Sequence, residues 1–219
     1  MTQQKPYTSV LFTTAYLPPL AYFAAFFQAE QTYLESAEHY LKQSYRNRCL
    51  IASAEGPKAL IIPIRKYTSE GALIRDIRID YTQNWQAIHW KSLETSYNTS
   101  PFFLYYRDYL ESFYRKSFTF LWDFNLDLWN VLCSLLKISK TLTFTQRYQK
   151  EYPSDCLDLR NSLHPKKPTS HVLTKDFPPY TQVFSDRCDF ISNLSIIDLL
   201  CNKGNHSLDY LQGLANFIL

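Results

Sequence analysis

A strand-like run followed by a double proline sets the first unit of the fold. Residues 9–14, SVLFTT, are rich in β-branched and aromatic side chains, and Pro18 and Pro19 precede an apolar segment that ends near Ala29. Proline is favoured in the first turn of a helix because the N–H that it lacks would have no partner there. The pattern predicts a strand followed by a helix, the unit of an α/β sheet, in which ligands bind beyond the carboxyl ends of strands. Tyr16, in the connecting turn, is therefore a candidate pocket residue.

The rest of the chain predicts an α/β fold: a mixed, Rossmann-like open sheet with a hairpin edge and a cluster of amphipathic helices. Further strands are predicted at residues 31–35, 48–53, 59–64, 74–79 and 141–145. Residues 48–53 and 59–64 flank a Gly-Pro turn and form the hairpin, and Pro63 assigns its second arm to a sheet edge. With 219 residues and no internal repeat, the whole chain 1–219 is expected to form a single domain.

Helices are predicted at residues 85–97, from 101 onward, and at 120–136, 194–201 and 207–219. Asn84 is expected to cap the first of these, Ser100 and Pro101 to open the second, and Gly204 to end the fourth. Residues 164–168 are expected to form a surface loop. The predicted inward faces contain Trp85, Ile88, His89, Phe102, Tyr105, Tyr109, Leu121, Phe124, Leu128 and Leu132.

The charge distribution favours a small anionic ligand. The net charge is only +3, but residues 42–78 hold eight Lys and Arg against three acids, which is a local excess of +5. A positive field of this size suits an anionic small molecule or a nucleotide-linked substrate. The segment is too short and too interrupted to indicate nucleic-acid binding, which usually requires a wider basic stripe.

Several classes of chemistry are excluded by residue type and spacing. The chain has four glycines, at positions 56, 71, 204 and 213, so neither a P-loop nor the GxGxxG dinucleotide motif is present. No GxSxG nucleophile elbow occurs. The five histidines, at positions 39, 89, 164, 171 and 206, lack the spacing of metal ligands. We therefore expect no metal and no cofactor.

The cysteines and the N-terminal region bear on the compartment. Five cysteines, at positions 49, 133, 156, 188 and 201, are widely spaced and odd in number, which is typical of reduced cytoplasmic thiols. The apolar run at residues 10–27 is interrupted by threonines and by the double proline, so it predicts neither a signal peptide nor a membrane span. We expect a cytoplasmic protein.

The segment at residues 34–51 concentrates the candidate chemistry. Arg46 and Arg48 precede a strand, and if both are extended their guanidinium groups lie on one face about 7 Å apart, where they could clamp one phosphate or carboxylate. Glu35 and Glu38 are spaced so that one helical turn would bring their carboxylates together. The alternative is that these arginines and glutamates pair with each other and tie a loop to the sheet.

Polar residues within apolar segments complete the candidate site. His89 lies on the predicted inward face of a helix, where it is either a satisfied core residue or a general base oriented by Glu35 and Glu38. A buried Asn125 must find partners or face a polar pocket. The remaining candidates each have an ordinary alternative, as a sheet-edge donor, a helix cap and a solvent-facing residue respectively: Gln182, Asn193 and Asp198.

Several short motifs, in order along nearly the whole chain, resemble the WbqC-like protein family. They are TAYLPP at 14–19, YRNR at 45–48, HWK at 89–91, SPFF at 100–103, DFN at 123–125, YTQVF at 180–184 and NLSIIDLL at 193–200. The resemblance implies a link to bacterial surface polysaccharide biosynthesis and a transferase that places a glycyl-type group on an amino sugar. The patterns described above and these motifs together lead us to expect that the substrate is bound by Tyr16, Arg46, Asn47, Arg48, Asn125, Gln182, Asn193 and Asp198. The chain departs from many relatives at Ser36 and Ala37, where they carry a pair of aspartates.

Two hypotheses follow from the sequence. In the first, the protein is a cytoplasmic transferase that moves a small acyl or aminoacyl group onto the amine of a nucleotide-linked sugar, with His89 as the base. In the second, it is a non-catalytic binding or assembly protein, in which the arginines and glutamates are structural and an aromatic-rich face docks a partner. The oligomeric state follows from neither.

Overall fold

The computed structural model describes residues 7–67, 71–165 and 177–214. The described residues contain strands β1 (Ser9–Phe12), β2 (Gln31–Leu34), β3 (Arg48–Ser53), β4 (Gly56–Ile61), β5 (Thr143–Phe144) and β6 (Cys156–Asp158). They also contain helices α1 (Leu20–Gln28), α2 (Trp85–Tyr97), α3 (Phe103–Arg115), α4 (Leu121–Leu135), α5 (Ile196–Lys203) and α6 (Ser207–Gly213). Short 3-10 helices lie at Ile74–Asp76 and Gly204–His206. The predicted α/β fold class is confirmed.

The main sheet is parallel throughout, in the order β5-β2-β1-β6. Phe12 of β1 pairs with Leu34 of β2, and Leu34 pairs in turn with Phe144 of β5. Because the four strands run in the same direction, their carboxyl ends share one edge of the sheet. The predicted hairpin is formed by β3 and β4, which make a separate two-stranded antiparallel sheet.

Helix α1 covers one face of the parallel sheet. The ring of Phe12 on β1 contacts the rings of Tyr22 and Phe26 on α1, with centroids 5.2 and 6.3 Å apart. On its other side α1 packs on α4, where Phe23 stacks on Trp129 at 4.7 Å. The apolar segment after the double proline is therefore buried between the sheet and the helical cluster.

Helices α2, α3 and α4 form an aromatic cluster around Phe124. Leu121, Phe124, Leu128, Leu132 and Trp85 are buried as predicted, and Phe102 is partly buried. The predicted inward positions of three other residues are wrong, because Ile88, Tyr105 and Tyr109 are 60%, 73% and 58% exposed. Helix α3 buries Tyr106 and Phe113, which were also predicted to face inward, together with Phe103, Leu110 and Tyr114. Aromatic side chains occur on every side of this helix, so periodicity alone did not identify its packing face.

The ends of α2 and α3 differ in how well the sequence predicted them. Asn84 caps α2 as expected, since its side chain accepts the N–H of Ala87. Ser100 was expected to cap α3, but its hydroxyl donates to the carbonyl of Tyr97 at 2.6 Å. Ser100 therefore closes the end of α2, and α3 begins at Phe103 without a side-chain cap.

Gly204 ends α5 as predicted. Its φ of 53° lies in the left-handed region that glycine adopts most readily. A Cβ at this position would lie 2.5 Å from Cδ1 of Phe102, so the packing at this helix end also requires a residue without a side chain. Helix α5 itself begins at Ile196, two residues later than predicted, with Ser195 as its cap.

Other boundaries also needed correction. Residues 74–79 were predicted to be a strand, but Ile74–Asp76 form a 3-10 helix whose Ile74 N–H donates to the Glu38 carbonyl at 3.0 Å. The second hairpin arm ends at Ile61, so Pro63 lies beyond it. The predicted loop at 164–168 and last helix at 207–219 extend partly outside the described residues. Among the described residues, no helix is long and apolar enough to cross a membrane.

Candidate functional site

The carboxyl edge of the parallel sheet brings together residues that immediately follow four strands. Glu35 follows β2, and its N–H donates to the carbonyl of Phe12 at 2.8 Å. Its carboxylate accepts the hydroxyl of Thr145, after β5, at 2.6 Å and a guanidinium N–H of Arg160, after β6, at 3.2 Å. Thr13 follows β1 directly. The topology therefore assembles a polar site from segments far apart in sequence.

Arg160 neutralises the fully buried carboxylate of Glu35. The guanidinium also pairs with Asp158, with an Nη2–Oδ2 distance of 2.6 Å, and contacts the faces of the Tyr148 and Tyr152 rings, 4.9 and 5.0 Å from their centroids. It is only 3% exposed. These contacts hold the end of β6 and the 148–152 segment against the end of β2.

A second buried ion pair joins Glu38 and Arg46. Two N–H groups of Arg46 donate to the two carboxylate oxygens, at 2.9 and 2.5 Å, and the side chains are 4% and 2% exposed. The hydroxyl of Thr13 donates to the same carboxylate. A bidentate pair in a dry environment has a strong directional preference, but it must first offset the cost of removing both charges from water.

The predicted guanidinium clamp of Arg46 and Arg48 is not formed. Arg48 is the first residue of β3, whereas Arg46 lies in the preceding turn, so the alternation that would place both on one sheet face does not extend to it. Arg46 is paired with Glu38, as in the alternative interpretation. Between them, Asn47 extends the hairpin, because its amide donates to the Ile62 carbonyl at 2.8 Å and its own carbonyl accepts the Ile62 N–H at 2.8 Å.

His89 and Tyr16 lie in the aromatic cluster, away from the ion pairs. The Tyr16 hydroxyl is hydrogen-bonded to Nδ1 of His89 at 3.0 Å and to the Tyr114 hydroxyl at 2.8 Å. The imidazole packs edge-on against Trp85 and is also hydrogen-bonded to the backbone of Ile61. Within the described part of the chain, the partners of His89 include neither Glu35 nor Glu38, which are bound to Arg160 and Arg46.

Burial lowers the pKa of His89 from 6.5 to about 4, so the imidazole is neutral at pH 7. Because the unfolded chain then binds the proton more tightly than the folded one, stability due to His89 is complete above pH 6.5 and falls as the pH decreases toward 4. Between pH 7 and pH 5 we expect wild type to lose about 1–2 kcal/mol more unfolding free energy than His89→Gln. Urea titrations at both pH values measure this difference, and equal losses would contradict it.

Asn193 caps α1, although the sequence suggested a cap for the helix that follows it. Its side-chain oxygen accepts the N–H of Ala21 at 2.9 Å, and the carbonyl of Leu194 accepts the N–H of Leu20 at 3.0 Å. The N–H groups at the start of a helix are the usual anion donors of Rossmann-like folds. Here the C-terminal segment already occupies them.

Gln182 and Asp198 form a separate buried network. One oxygen of Asp198 accepts the Tyr180 hydroxyl at 2.6 Å and the Gln182 amide at 2.8 Å. Gln182 also exchanges two hydrogen bonds with the backbone of Ile191, at 2.9 and 3.0 Å. Burial raises the pKa of the Asp198 carboxyl. This network ties the 180–191 segment to α5, and Asp198 is not the solvent-facing residue of the alternative prediction.

A narrow cleft beside the Glu38–Arg46 pair has about 10 Å³ of free space, enough for about one water molecule. Its polar lining includes Thr13, Thr14, Tyr22 and Asn125. The amide of Asn125 donates to the Arg46 carbonyl at 2.8 Å, which fixes its orientation because a carbonyl accepts only the nitrogen end. Its buried oxygen has no hydrogen-bond partner within the described part of the chain. That oxygen is an acceptor available to a ligand that donates.

Thr13, Thr145 and Arg160 belong to the site but were not among the residues predicted from the sequence. Thr13 and Thr145 were included in predicted strands and not considered as residues of the strand ends. Arg160 follows β6, which lies in a polar region that was not predicted to contain a strand. The signal that could have found the two threonines is their position at the carboxyl end of a strand, since these ends meet at one edge of a parallel sheet.

The protein is therefore an α/β protein with a parallel sheet, and buried ion pairs and a cleft lie at the carboxyl edge of that sheet. In Rossmann-like folds this edge is where ligands bind, and here it is formed by side chains at the strand ends. The model of the WbqC-like protein family matches residues 14–167. The chain belongs to the WbqC-like protein family.

The chain is also similar to "Uncharacterized protein Rv1507c" of Mycobacterium tuberculosis (strain ATCC 25618 / H37Rv). The two are 25% identical over an alignment of 218 residues. The alignment covers 90% of this chain and 94% of the relative. No solved structure matches the chain significantly. The motifs at 14–19, 45–48, 89–91, 100–103 and 123–125 lie inside the family match, and those at 180–184 and 193–200 lie beyond it.

Proposed function

We propose that this protein is a transferase that places a small acyl or aminoacyl group on the amine of an amino sugar in bacterial surface polysaccharide biosynthesis. The observation that carries the proposal is the buried oxygen of Asn125, a residue that lines the cleft beside the Glu38–Arg46 pair; this oxygen has no hydrogen-bond partner among the described residues. An acceptor fixed by its own amide suits a donor such as an amine. The proposal sets the reaction in the cytoplasm, in line with five cysteines that are free thiols.

The size and lining of the cleft restrict what can enter it. Its free space of about 10 Å³ is far below that of ordinary ligand sites, so an acyl or glycyl-type group must widen the cleft to enter, and a whole nucleotide does not fit. Apolar walls from Phe12, Leu34 and Trp129 suit the carbon skeleton of such a group. The sugar would then remain outside the cleft and present only its amine to it.

The chemistry needs one proton acceptor. In the proposed step the neutral amine attacks the carbonyl carbon of an acyl group activated as an ester or thioester. The nitrogen–carbon bond forms, the bond to the leaving group breaks, and the leaving group takes the electron pair. The amine proton passes through the hydroxyl of Thr13 to the carboxylate of Glu38, which are already hydrogen-bonded. Asn125 orients the amine.

Thr13→Val is expected to lower turnover by about 10²-fold, because valine has the same shape but cannot relay the proton. Thr13→Ser keeps a hydroxyl and serves as the matched control, with activity close to wild type. The assay follows acylation of an amino sugar by an activated glycyl or acetyl donor, with the melting temperature of each variant measured in parallel.

The same assay separates this proposal from a base role for His89. A base role for His89 predicts that His89→Gln lowers turnover by about 10²-fold while ligand binding survives. The buried, carboxylate-free surroundings of His89 support a packing role instead, in which the glutamine variant transfers at nearly the wild-type rate. A large loss in His89→Gln together with an active Thr13→Val would contradict the relay through Thr13.

The alternative function is non-catalytic binding or assembly. It is favoured by the closed pairing of Glu35 with Arg160 and Glu38 with Arg46, and by apolar side chains on α3, where Leu104 and Tyr105 are 67% and 73% exposed. A panel of nucleotide-linked amino sugars separates the two functions. Bound ligand raises the melting temperature of a transferase, whereas no response across the panel favours the assembly role.

A further inference from the structure

An open cavity of about 420 Å³ lies between the segment after β4 and the 3-10 helix Ile74–Asp76. Ile64 and Ile79 form an antiparallel bridge, and the N–H of Arg65 donates to the carbonyl of Arg78 at 2.9 Å. This backbone pairing holds the two arginines next to each other. The lining consists of Arg65, Lys66, Tyr67, Gly71, Ala72, Leu73, Asp76, Ile77 and Arg78.

The charges of the described lining are unbalanced. Among the lining residues that the structure describes, Arg65, Lys66 and Arg78 are cationic and Asp76 is acidic. Among the described residues, none of the three cations forms an ion pair within 4.0 Å. Like charges held opposite each other across a strand pair are destabilising, so this arrangement gains stability when an anion enters.

Arg78 is also positioned by an aromatic ring. Its guanidinium lies over Phe120, 5.1 Å from the ring centroid. Stacking uses the face of the guanidinium and leaves the N–H donors in its plane available for a bidentate contact. Among the described residues, the carboxylate of Asp80 is also close to Arg65, and it accepts the N–H of Thr82 at 2.9 Å.

We propose that this cavity is an anion subsite that binds the phosphate or diphosphate group of a ligand, with Arg65 and Arg78 as bidentate donors and Lys66 as a further cation. The subsite would bind the diphosphate of a nucleotide-linked sugar, which deepens the proposed function. The identity of the ligand as a nucleotide-linked sugar rests on the proposed function, whereas the binding of phosphate does not. With Asp76 counted, the described lining has a net charge of +2, which a monovalent carboxylate would neutralise only by half, so a phosphate is favoured over a carboxylate.

Titration calorimetry with inorganic pyrophosphate at low salt tests the subsite directly. The double variant Arg65→Gln/Arg78→Gln is expected to weaken binding by roughly tenfold or more, and wild-type affinity should fall as salt is added. Arg65 and Arg78 are exposed, as are the two arginines of the control described next, so all variants should keep the wild-type melting temperature. The matched control Arg115→Gln/Arg187→Gln removes the same net charge from other surfaces and should leave affinity within about twofold of wild type.

Two outcomes would overturn the subsite: wild type that does not bind pyrophosphate, or a control double variant that loses as much affinity as Arg65→Gln/Arg78→Gln. The readout involves no transfer reaction, so its failure is distinct from failure of the proposed function. A protein that binds pyrophosphate through these arginines but transfers no acyl group would keep the subsite and lose the transferase assignment.

Discussion

Replacing Arg46 by methionine is expected to lower the free energy of unfolding by about 3–5 kcal/mol, because it leaves the Glu38 carboxylate buried without its counter-charge. The two side chains are 2% and 4% exposed, so water cannot replace the two lost hydrogen bonds without opening the structure. Methionine keeps most of the arginine volume, which separates the electrostatic effect from a cavity. Equilibrium urea denaturation measures the change.

The matched control for this prediction is an exposed ion pair. Arg115 contacts Glu111 at 2.7 Å on the surface of α3, and Arg115→Met should cost less than about 1 kcal/mol. The double variant Arg46→Met/Glu38→Leu should recover most of the loss, since it leaves no unpaired charge. A cost for Arg46→Met as small as that for Arg115→Met would show that water or a rearranged partner stabilises Glu38.

The same ion pair explains why the segment at residues 34–51 was only partly predictable. The sequence predicted that its charges matter, and left open whether they bind a ligand or each other. Adjacent residues in this segment have different tasks: Arg46 pairs with Glu38, Asn47 extends the hairpin and Arg48 begins β3. A strand period assigns faces only to residues that are extended, and it could not detect that the chain turns at Arg46.

Local patterns predicted the elements whose signals lie within the elements themselves. The run at 9–14, the double proline before α1, Asn84 at the start of α2 and Gly204 at the end of α5 are of this kind. Asn193 is not, because it caps α1 by accepting the N–H of Ala21, which lies 172 residues earlier in the chain. The contact of Arg160 with Glu35 likewise depends on strand order, which the spacing of residues does not encode.

The motifs that carry the family resemblance therefore act in part by fastening the chain. In the C-terminal motif, Asn193 caps α1, and the N–H of Ser195 donates to the Leu50 carbonyl at 2.8 Å. Two segments therefore hold the turn after β1. One is the C-terminal segment, and the other contains Tyr45, whose carbonyl accepts the N–H of Tyr16 at 2.9 Å. A rigid turn at this point fixes Thr13 beside Glu38, which the proposed relay requires.

Phe124→Ala is expected to cost about 3–5 kcal/mol of unfolding free energy, because it empties the centre of the aromatic cluster. The ring is fully buried and lies within 5.8 Å, centroid to centroid, of the rings of Tyr16, Trp85, Phe113 and Phe118. These four rings come from different segments of the chain, so they cannot all move inward to fill the space. Urea denaturation measures the cost directly.

The control for Phe124→Ala is Phe144→Ala on β5, where the side chain is 46% exposed and less contact is lost, so its cost should be clearly smaller. Phe124→Leu, which leaves a smaller cavity, should fall between them. Phe124→Ala also tests how His89 is held. Phe124 packs against Tyr16 and Trp85, and both of these rings contact the imidazole of His89. If the cluster loosens, water reaches the imidazole and the pKa of His89 rises from about 4 toward 6.5, which an NMR titration of its ring protons detects. A cost below about 1 kcal/mol with an unchanged His89 pKa would show that the cluster is organised around another residue.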